Sequence, residues 1–568
     1  MFWQTNVIYE FGPFRVDARE RQLLRDGEVV SLTPKVFDIL MVLVENPGHV
    51  LSKAEMMKLV WPDTSVEEGN LARNISTLRN ALAEQTPATR YIETVPWRGY
   101  RFVASVKQVR DESVAKTIDS IAVLPFTRAE GDPSLEFLSD GISESLINTL
   151  SQLNRLRVMS RNSSFRYQGR QIDASEVGRE LKVEAVIMGR VAKHDELLSI
   201  SVELVDALDD SHIWGAQYLR QFSDILTMPA KIAEEISEKL RLKLTNDEQR
   251  RLTRGHTESA EAYQLYLKGR YYFNKLTPDG VQKGVEYFQQ AIEKDPLYAL
   301  AYAGLGDCHN YLANRDEAKR SVSKALELDG ELGEAHASLG FFRFLYDWDF
   351  AGAESEFVKA LSLSPNYAEA HHWYGIFLAN LGRHDEAGRE ASLAVERDPL
   401  SLLMNMTAAL NFYLAREYDQ AVAQLQKVIE MEPNFPAAHS VLGCVYVQKQ
   451  MFQEALAEYR MVIELTKGAT VVETSVKVLM AQTYARWGKK AEALRLLEEV
   501  KAAGTASSYS IAGVYAALKK QDKAFESLNK AYEERDMQLV SLKVDPSLDG
   551  MRDDVRFAEL VRRVGLPP

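Results

Sequence analysis

Cysteine is almost absent from this chain: 568 residues hold two, Cys308 and Cys444. Two cysteines are too few for a disulfide framework or a cysteine-based zinc site. Both are expected to be small buried hydrophobes. Nowhere do about 18 apolar residues follow one another, which excludes a membrane-spanning helix, and the first residues lack the basic-then-apolar pattern of an export signal. The expectation is a cytoplasmic protein without membrane contact. Motifs for phosphate cradling and nucleophilic catalysis are missing too, since no Gly-x-x-x-x-Gly-Lys-Ser/Thr loop, Gly-x-Gly-x-x-Gly fingerprint, Gly-x-Ser-x-Gly elbow or His-Glu-x-x-His helix occurs. No enzymatic activity, cofactor or metal is expected. There is also no basic surplus. The net charge is −13, and residues 1–108 hold thirteen basic and thirteen acidic side chains, so the negative charge sits downstream and bulk coating of nucleic acid is excluded.

What is present begins at Thr33-Pro34, an N-cap followed by proline at the first helical position, where a missing N–H is harmless. Val36, Phe37, Leu40, Met41 and Val44 follow at helical spacing, and Asn46-Pro47-Gly48 stops the helix. Ser52 with Glu55, and Ser65 with Glu68, have the spacing of reciprocal helix caps, which predicts helices starting near 53 and 66. In the second, Leu71, Ile75, Leu78 and Leu82 form one stripe at roughly 100° per residue. Arg73, Ser76, Thr77 and Asn80 lie opposite, flanked by Asn74 and Arg79, a polar set suited to base edges and phosphates. Residues 91–95 and 100–103 read as paired strands, which makes Pro96-Trp97-Arg98-Gly99 a tip with one cation.

The segments Asn74-Ile75-Ser76-Thr77-Leu78-Arg79 and Glu93 to Phe102 resemble the recognition helix and wing of the OmpR/PhoB-type winged helix, shared by response regulators and by ToxR-, CadC- and HilA-like activators. Residues 8–32, including Phe14-Arg15-Val16-Asp17, resemble the small sheet that precedes the helices in that family. The resemblance implies binding to double-stranded DNA by Arg73, Asn74, Ser76, Thr77, Arg79, Asn80, Arg98 and Tyr100. Few arginines on the helix imply modest affinity per copy, which a homodimer on adjacent half-sites would offset.

After a charged linker, residues 106–118, the apolar run Ile121 to Phe126 suits a strand covered on both faces. Alternating helical and strand patterns to about residue 245 imply an α/β domain. Its segments Ile121–Phe126, Leu138-Ser139-Asp140-Gly141-Ile142 and Ala185–Val191 resemble the amino-terminal domain of TolB. Ser139 or Asp140 is expected to cap a helix, with Gly141 easing the turn; an anion site on backbone N–H groups is the alternative.

A second linker is expected at 246–258. From 259 on, Asp295-Pro296, Ser364-Pro365, Asp398-Pro399 and Glu432-Pro433 recur at one or two periods of about 34 residues, the spacing of tetratricopeptide repeats. That resemblance implies an all-α solenoid with small residues such as Gly306, Gly375 and Gly443 at helix crossings, and a cap at 544–566 over the last apolar face. It also places Asp307, Asn310, Tyr311, His372, Ile376, Asn380, Met406, Leu410 and Tyr413 on a concave groove for a protein or peptide partner, RNA polymerase being one candidate.

The chain therefore reads as a multidomain transcriptional regulator: an α+β winged helix (1–105), a TolB-like α/β domain (119–245) and a capped repeat array (259–568). A tetratricopeptide scaffold without specific DNA binding is the alternative, and a nucleotide-handling enzyme built on the middle domain is a third reading.

Overall fold

The computed structural model describes residues 7–17, 21–61, 68–83, 90–110, 118–128, 135–170, 172–194, 197–242, 244–253, 257–275, 277–312 and 314–567. Ser65, an expected helix cap, lies outside them. The described chain forms two compact units, Met1–Thr117 and Ile118–Pro568.

The first unit opens with β1 (Val7–Phe11), β2 (Phe14–Asp17), β3 (Gln22–Arg25) and β4 (Glu28–Val30), an antiparallel meander. Helices α1 (Pro34–Val44), α2 (Lys53–Val60) and α3 (Glu68–Ala81) follow, with β5 (Val50–Ser52) between the first two. Ser52 and Glu55 form the reciprocal cap of α2. Thr33 precedes α1 with extended backbone but makes no side-chain cap bond. Strands β6 (Ile92–Val95) and β7 (Gly99–Phe102) pair with β5 in the order β5-β7-β6. Gly99 is required there, because a Cβ would sit 1.9 Å from the carbonyl oxygen of Leu51 on β5. Strand β8 (Lys107–Arg110) then pairs antiparallel with β1, so the expected linker is strand at 107–110. Backbone pairing across 100 residues of sequence, invisible to local pattern, makes the difference.

The second unit begins with β9 (Ser120–Val123), β10 (Thr127–Arg128), α4 (Glu136–Leu150), β11 (Arg157–Val158), α5 (Arg161–Ser164) and α6 (Ala174–Leu181). Long strands β12 (Ala185–His194), β13 (Leu197–Asp206) and β14 (His212–Gln221) complete a sheet of order β11-β9-β12-β13-β14, parallel at one end and antiparallel at the other. Helix α4 starts before Ser139, so Ser139, Asp140 and Gly141 cap nothing and present no free backbone N–H. Gly141 instead lets α4 approach the first repeat, since a Cβ would lie 2.8 Å from Leu267. Helices α7 (Met228–Lys239) and α8 (Asn246–Thr253) follow, and the second expected linker is thus helical at 246–253. Leu252 is buried in the same core as Ile142 and Ile232, and Glu248 accepts from the backbone of Asn154 and Thr245; that burial anchors α8.

Paired helices then stack in succession: α9 (Ala260–Phe273) with α10 (Pro278–Lys294), α11 (Ala299–Tyr311) with α12 (Arg315–Leu328), α13 (Gly333–Phe342) with α14 (Phe350–Leu363), and α15 (Ala368–Asn380) with α16 (His384–Arg397). The next pairs are α17 (Leu402–Leu414) with α18 (Tyr418–Met431), α19 (Pro436–Gln448) with α20 (Phe452–Leu465), α21 (Thr470–Arg486) with α22 (Lys490–Ala503), and α23 (Ser508–Ala517) with α24 (Gln521–Glu533). Helix α25 (Val555–Val564) closes the stack. A polar latch recurs through the central pairs. His336, His371 and His439 bond through Nδ1 to Glu356, Glu390 and Glu458 of the following helix, and through Nε2 to the carbonyls of Gly330, Pro365 and Pro433. Asn405 takes the same place, with Gln424 and the carbonyl of Pro399 as partners. His371 is thus a structural group.

The crossing glycines are not equivalent. A Cβ on Gly443 would fall 2.4 Å from the ring of buried Tyr459, whereas on Gly375 it would meet nothing nearer than 3.4 Å. Gly443→Ala is expected to cost about 1–3 kcal/mol of stability through overpacking, and Gly375→Ala to cost nothing. Urea unfolding of the two variants beside the wild type makes the comparison, and equal midpoints would refute it.

Candidate nucleic-acid interface and the inner face of the repeats

Helix α3 has two faces because Leu71, Ile75, Leu78 and Leu82 are buried against α1 in the core of the first unit. Burial of that stripe leaves Arg73, Ser76, Thr77 and Asn80 exposed on one side. Asn74 is half-buried and donates to the carbonyl of Asn70, and Thr77 donates to that of Arg73. Arg79 is different. Its guanidinium donates to the carbonyl of Ile92 at 2.9 Å and to the Thr94 hydroxyl at 2.8 Å, tying α3 to strand β6. It fixes the wing's position relative to α3. Tyr100, expected on the DNA face, is 7% exposed and packs in the domain core, because inward alternation on β7 carries its ring there. The tip retains Arg98 and Trp97, both exposed, with Trp97 at φ 65°. Below the tip, Arg101 of β7 pairs with Glu93 of β6 at 2.5 Å.

The inner face of the repeats departs from the expected open groove. The segment 537–551 lies against the first helices of the central pairs. Ser541 donates to Asn380 at 2.6 Å, Arg416 donates to the carbonyl of Val544 and pairs with Asp549 at 2.8 Å, Arg486 donates to the carbonyl of Pro546, and Tyr509 donates to Asp545. Val544 and Leu548 share one core with Ile376, Leu410 and Tyr413. Met406 packs in the neighbouring cluster and His372 is buried, its pKa lowered to about 4 by loss of solvent. Ile376, Asn380, Leu410 and Tyr413 therefore hold the chain's own tail, while His372 and Met406 are packed within the repeats. Repeat periodicity could not show this, because the tail carries no repeat signature. Only α25 behaves as a cap, with Phe557 and Leu560 in one core with Phe525 and Leu528 of α24.

The middle domain and the repeats are bonded at many points. Asn366 donates to the carbonyls of Leu153 and Leu156 at 2.9 and 2.7 Å. Buried Asp398 accepts from Ser163 at 2.6 Å and from Asn162 at 3.2 Å. The same Ser/Asp-Pro turns that mark the repeat period thus dock the sheet domain. A third contact is ionic: Glu144 of α4 receives Arg270 at 2.7 Å, Arg161 at 3.0 Å and the Asn274 amide at 2.7 Å. Burial opposes its charge, but Arg270 and Arg161 outweigh burial and hold its carboxyl below the ordinary range. Arg270 reaches on to Asp307 at 3.0 Å, so Asp307 faces inward between the two layers. Asn310 is half-buried and Tyr311 is exposed.

Beside this network lies a cavity of about 520 Å³ between α4, the start of α7 and the first repeats. Tyr263, Tyr266, Tyr298, Tyr367, Asp307 and Glu334 line it. None of these but Asp307 was singled out in the sequence, where tyrosines spaced along separate helices carry no common signal.

Residues 27–102 match the model described as transcriptional regulatory protein, C terminal, and residues 116–228 match the second domain of HilA/YgeH-like transcriptional regulators. Residues 356–389 and 406–470 match tetratricopeptide repeat models. The chain is a transcriptional regulator that joins an OmpR/PhoB-type winged helix to a HilA-like second domain and tetratricopeptide repeats. It is 25% identical to the transcriptional regulator HilA of Salmonella typhimurium over 503 residues, 86% of this chain and 87% of that one. Over 279 residues it is 30% identical to a putative adenylate cyclase 3 of Rhizobium meliloti, a match that takes in 47% of this chain and 41% of that protein, so the chain spans less than half of that relative's length. The solved DNA-binding domain of Escherichia coli CadC is 29% identical across 18% of this chain and 99% of its own, with a TM-score of 0.18. No helix among the described residues is long and apolar enough to cross a membrane.

Proposed function

We propose that the winged helix binds promoter DNA, with α3 in the major groove and the wing tip on the adjacent backbone, and that the second unit supplies the input that sets transcription. The observation that supports DNA binding is the exposed polar face of α3, Arg73, Ser76, Thr77 and Asn80, opposite a fully buried leucine and isoleucine stripe. Asn74 flanks this face, and Arg98 approaches phosphate. Arg79 acts by holding the wing. The balanced charge of the first domain favours two copies on adjacent half-sites, in the cytoplasm, and RNA polymerase is the partner such a bound regulator would address.

Fluorescence anisotropy of full-length protein on duplex DNA at several salt concentrations tests the reading. Affinity is expected to fall steeply with salt as counterions are released. A flat salt response, or no binding, favours a scaffold. Arg98→Glu reverses a charge at the exposed tip, so its loss of affinity is expected to be larger at low salt than at high salt. An equal loss at both removes Arg98 from the interface.

A further inference from the structure

Positive charge is concentrated on two adjacent turns of a unit that is acidic as a whole. The turn between α21 and α22 carries Arg486, Lys489 and Lys490, and the turn between α23 and α24 carries Lys519, Lys520 and Lys523. Glu492 and Asp522 are the acids in these two segments, 486–492 and 518–523. Ala485 and Leu518, at the helix ends beside the turns, share one core, so the turns lie side by side. Arg486 is committed to Gln448 and to the carbonyl of Pro546, and Asp522 to Arg556 at 2.9 Å. The five lysines are exposed and form no ion pair with a carboxylate among the described residues, whereas Lys449 in the preceding turn pairs with Asp419. Lys489 rests 3.6 Å from the ring centre of Trp487, and Lys523 5.7 Å from that of Tyr515, contacts that hold an ammonium group without neutralising it.

Folding does not account for these lysines. Lys489 is the N-cap and Lys490 the first residue of α22, Lys520 is the N-cap of α24, and neither N-cap side chain bonds to its helix. A cation there faces the positive end of the helix dipole, where serine, threonine, asparagine or aspartate would serve stability better. Like charges on neighbouring turns also repel one another. A polyanion reverses the sign of both effects. Lysine ammonium groups are point charges on mobile stems, without the planar fork by which arginine selects a carboxylate, so the patch suits a repeating phosphate backbone and not one defined acidic side chain.

We propose that this lysine patch holds the phosphate backbone of duplex DNA flanking the site read by the winged helix. The inference rests on the DNA-binding reading of the first unit, because DNA held by one part of the chain is presented to another part at high effective concentration. A few lysines need that help to retain a polyanion at physiological salt. The contact reads no bases; it adds affinity and salt dependence and lengthens the footprint.

The test is anisotropy of full-length protein on two duplexes, one just spanning the site selected by the wild type and one with several helical turns of flanking DNA on each side. Lys489→Gln, Lys490→Gln, Lys519→Gln and Lys520→Gln combined are expected to weaken binding to the longer duplex about tenfold and to lower the salt slope by about two to four units. On the short duplex this variant and the wild type are expected to bind alike, and the variant's melting temperature is expected to equal or exceed that of the wild type. A control combining Lys239→Gln, Lys359→Gln, Lys427→Gln and Lys467→Gln, exposed lysines scattered over the same unit, is expected to bind as the wild type does. Unchanged affinity and slope of the patch variant on the longer duplex, an equal loss on both duplexes, or an equal loss in the scattered control would overturn the proposal. If the wild type binds neither duplex, the winged-helix reading fails and this proposal with it; if it binds both and the patch variant matches it, this proposal alone falls.

Discussion

Glu144→Ala is expected to destabilise the second unit by about 3–5 kcal/mol, the cost of leaving buried charges without their partner. Glu144 is 5% exposed and engages both Arg161 and Arg270. Removing it strands the Arg161 guanidinium and leaves Arg270 with Asp307 alone, between the sheet domain and the first repeat. Glu144→Gln keeps the volume and is expected to lose nearly as much, which separates charge from packing. Because the native carboxyl titrates below the unfolded one, the stabilisation is complete above the ordinary glutamate pKa and is lost as pH falls through the lowered native value. The gap between wild type and variant in urea midpoint should therefore be full at pH 7 and close in acid. A gap that is small at pH 7, or independent of pH, would show that the network contributes little.

On a duplex selected by the wild type from a random library, Arg73→Ala is expected to weaken binding about 10- to 100-fold and to relax preference at one base position. Its side chain is exposed on α3, away from the buried stripe, so the melting temperature should not change. Arg79→Ala is expected to differ in kind. It releases the bonds to Ile92 and Thr94, which should lower the stability of the first unit and weaken all duplexes together. If Arg73→Ala binds selected and scrambled duplexes as the wild type does, α3 is not the reading helix.

The contrast between those two arginines shows how far sequence reaches. Helical spacing gives the stripe from Leu71 to Leu82 and hence the face of Arg73, because side chains on one helix have a fixed angular relation. It assigns Arg79 to a flank but not to Ile92 and Thr94, since the pairing of a helix with a strand thirteen residues on depends on how both pack. Tyr100 lies inside and not on the DNA face for a related reason: alternation says that neighbours on β7 point oppositely, and only the packed core says which side is inside.

The amino-acid sequence by itself determined the three architectures: a capped helix set with a hairpin, an alternating α/β region, and repeats near 34 residues. Each rests on local periodicity and cap chemistry, which neighbours in the chain fix directly. Tertiary structure alone decided that β8 returns to β1, that segment 537–551 fills the inner face at Asn380 and Tyr413, and that Asn366 and Asp398 dock the repeats on the sheet domain. Those contacts join residues from 100 to more than 230 positions apart. They form where apolar surface and unmet hydrogen bonds are left over after each local element is built, and no periodicity records such a remainder.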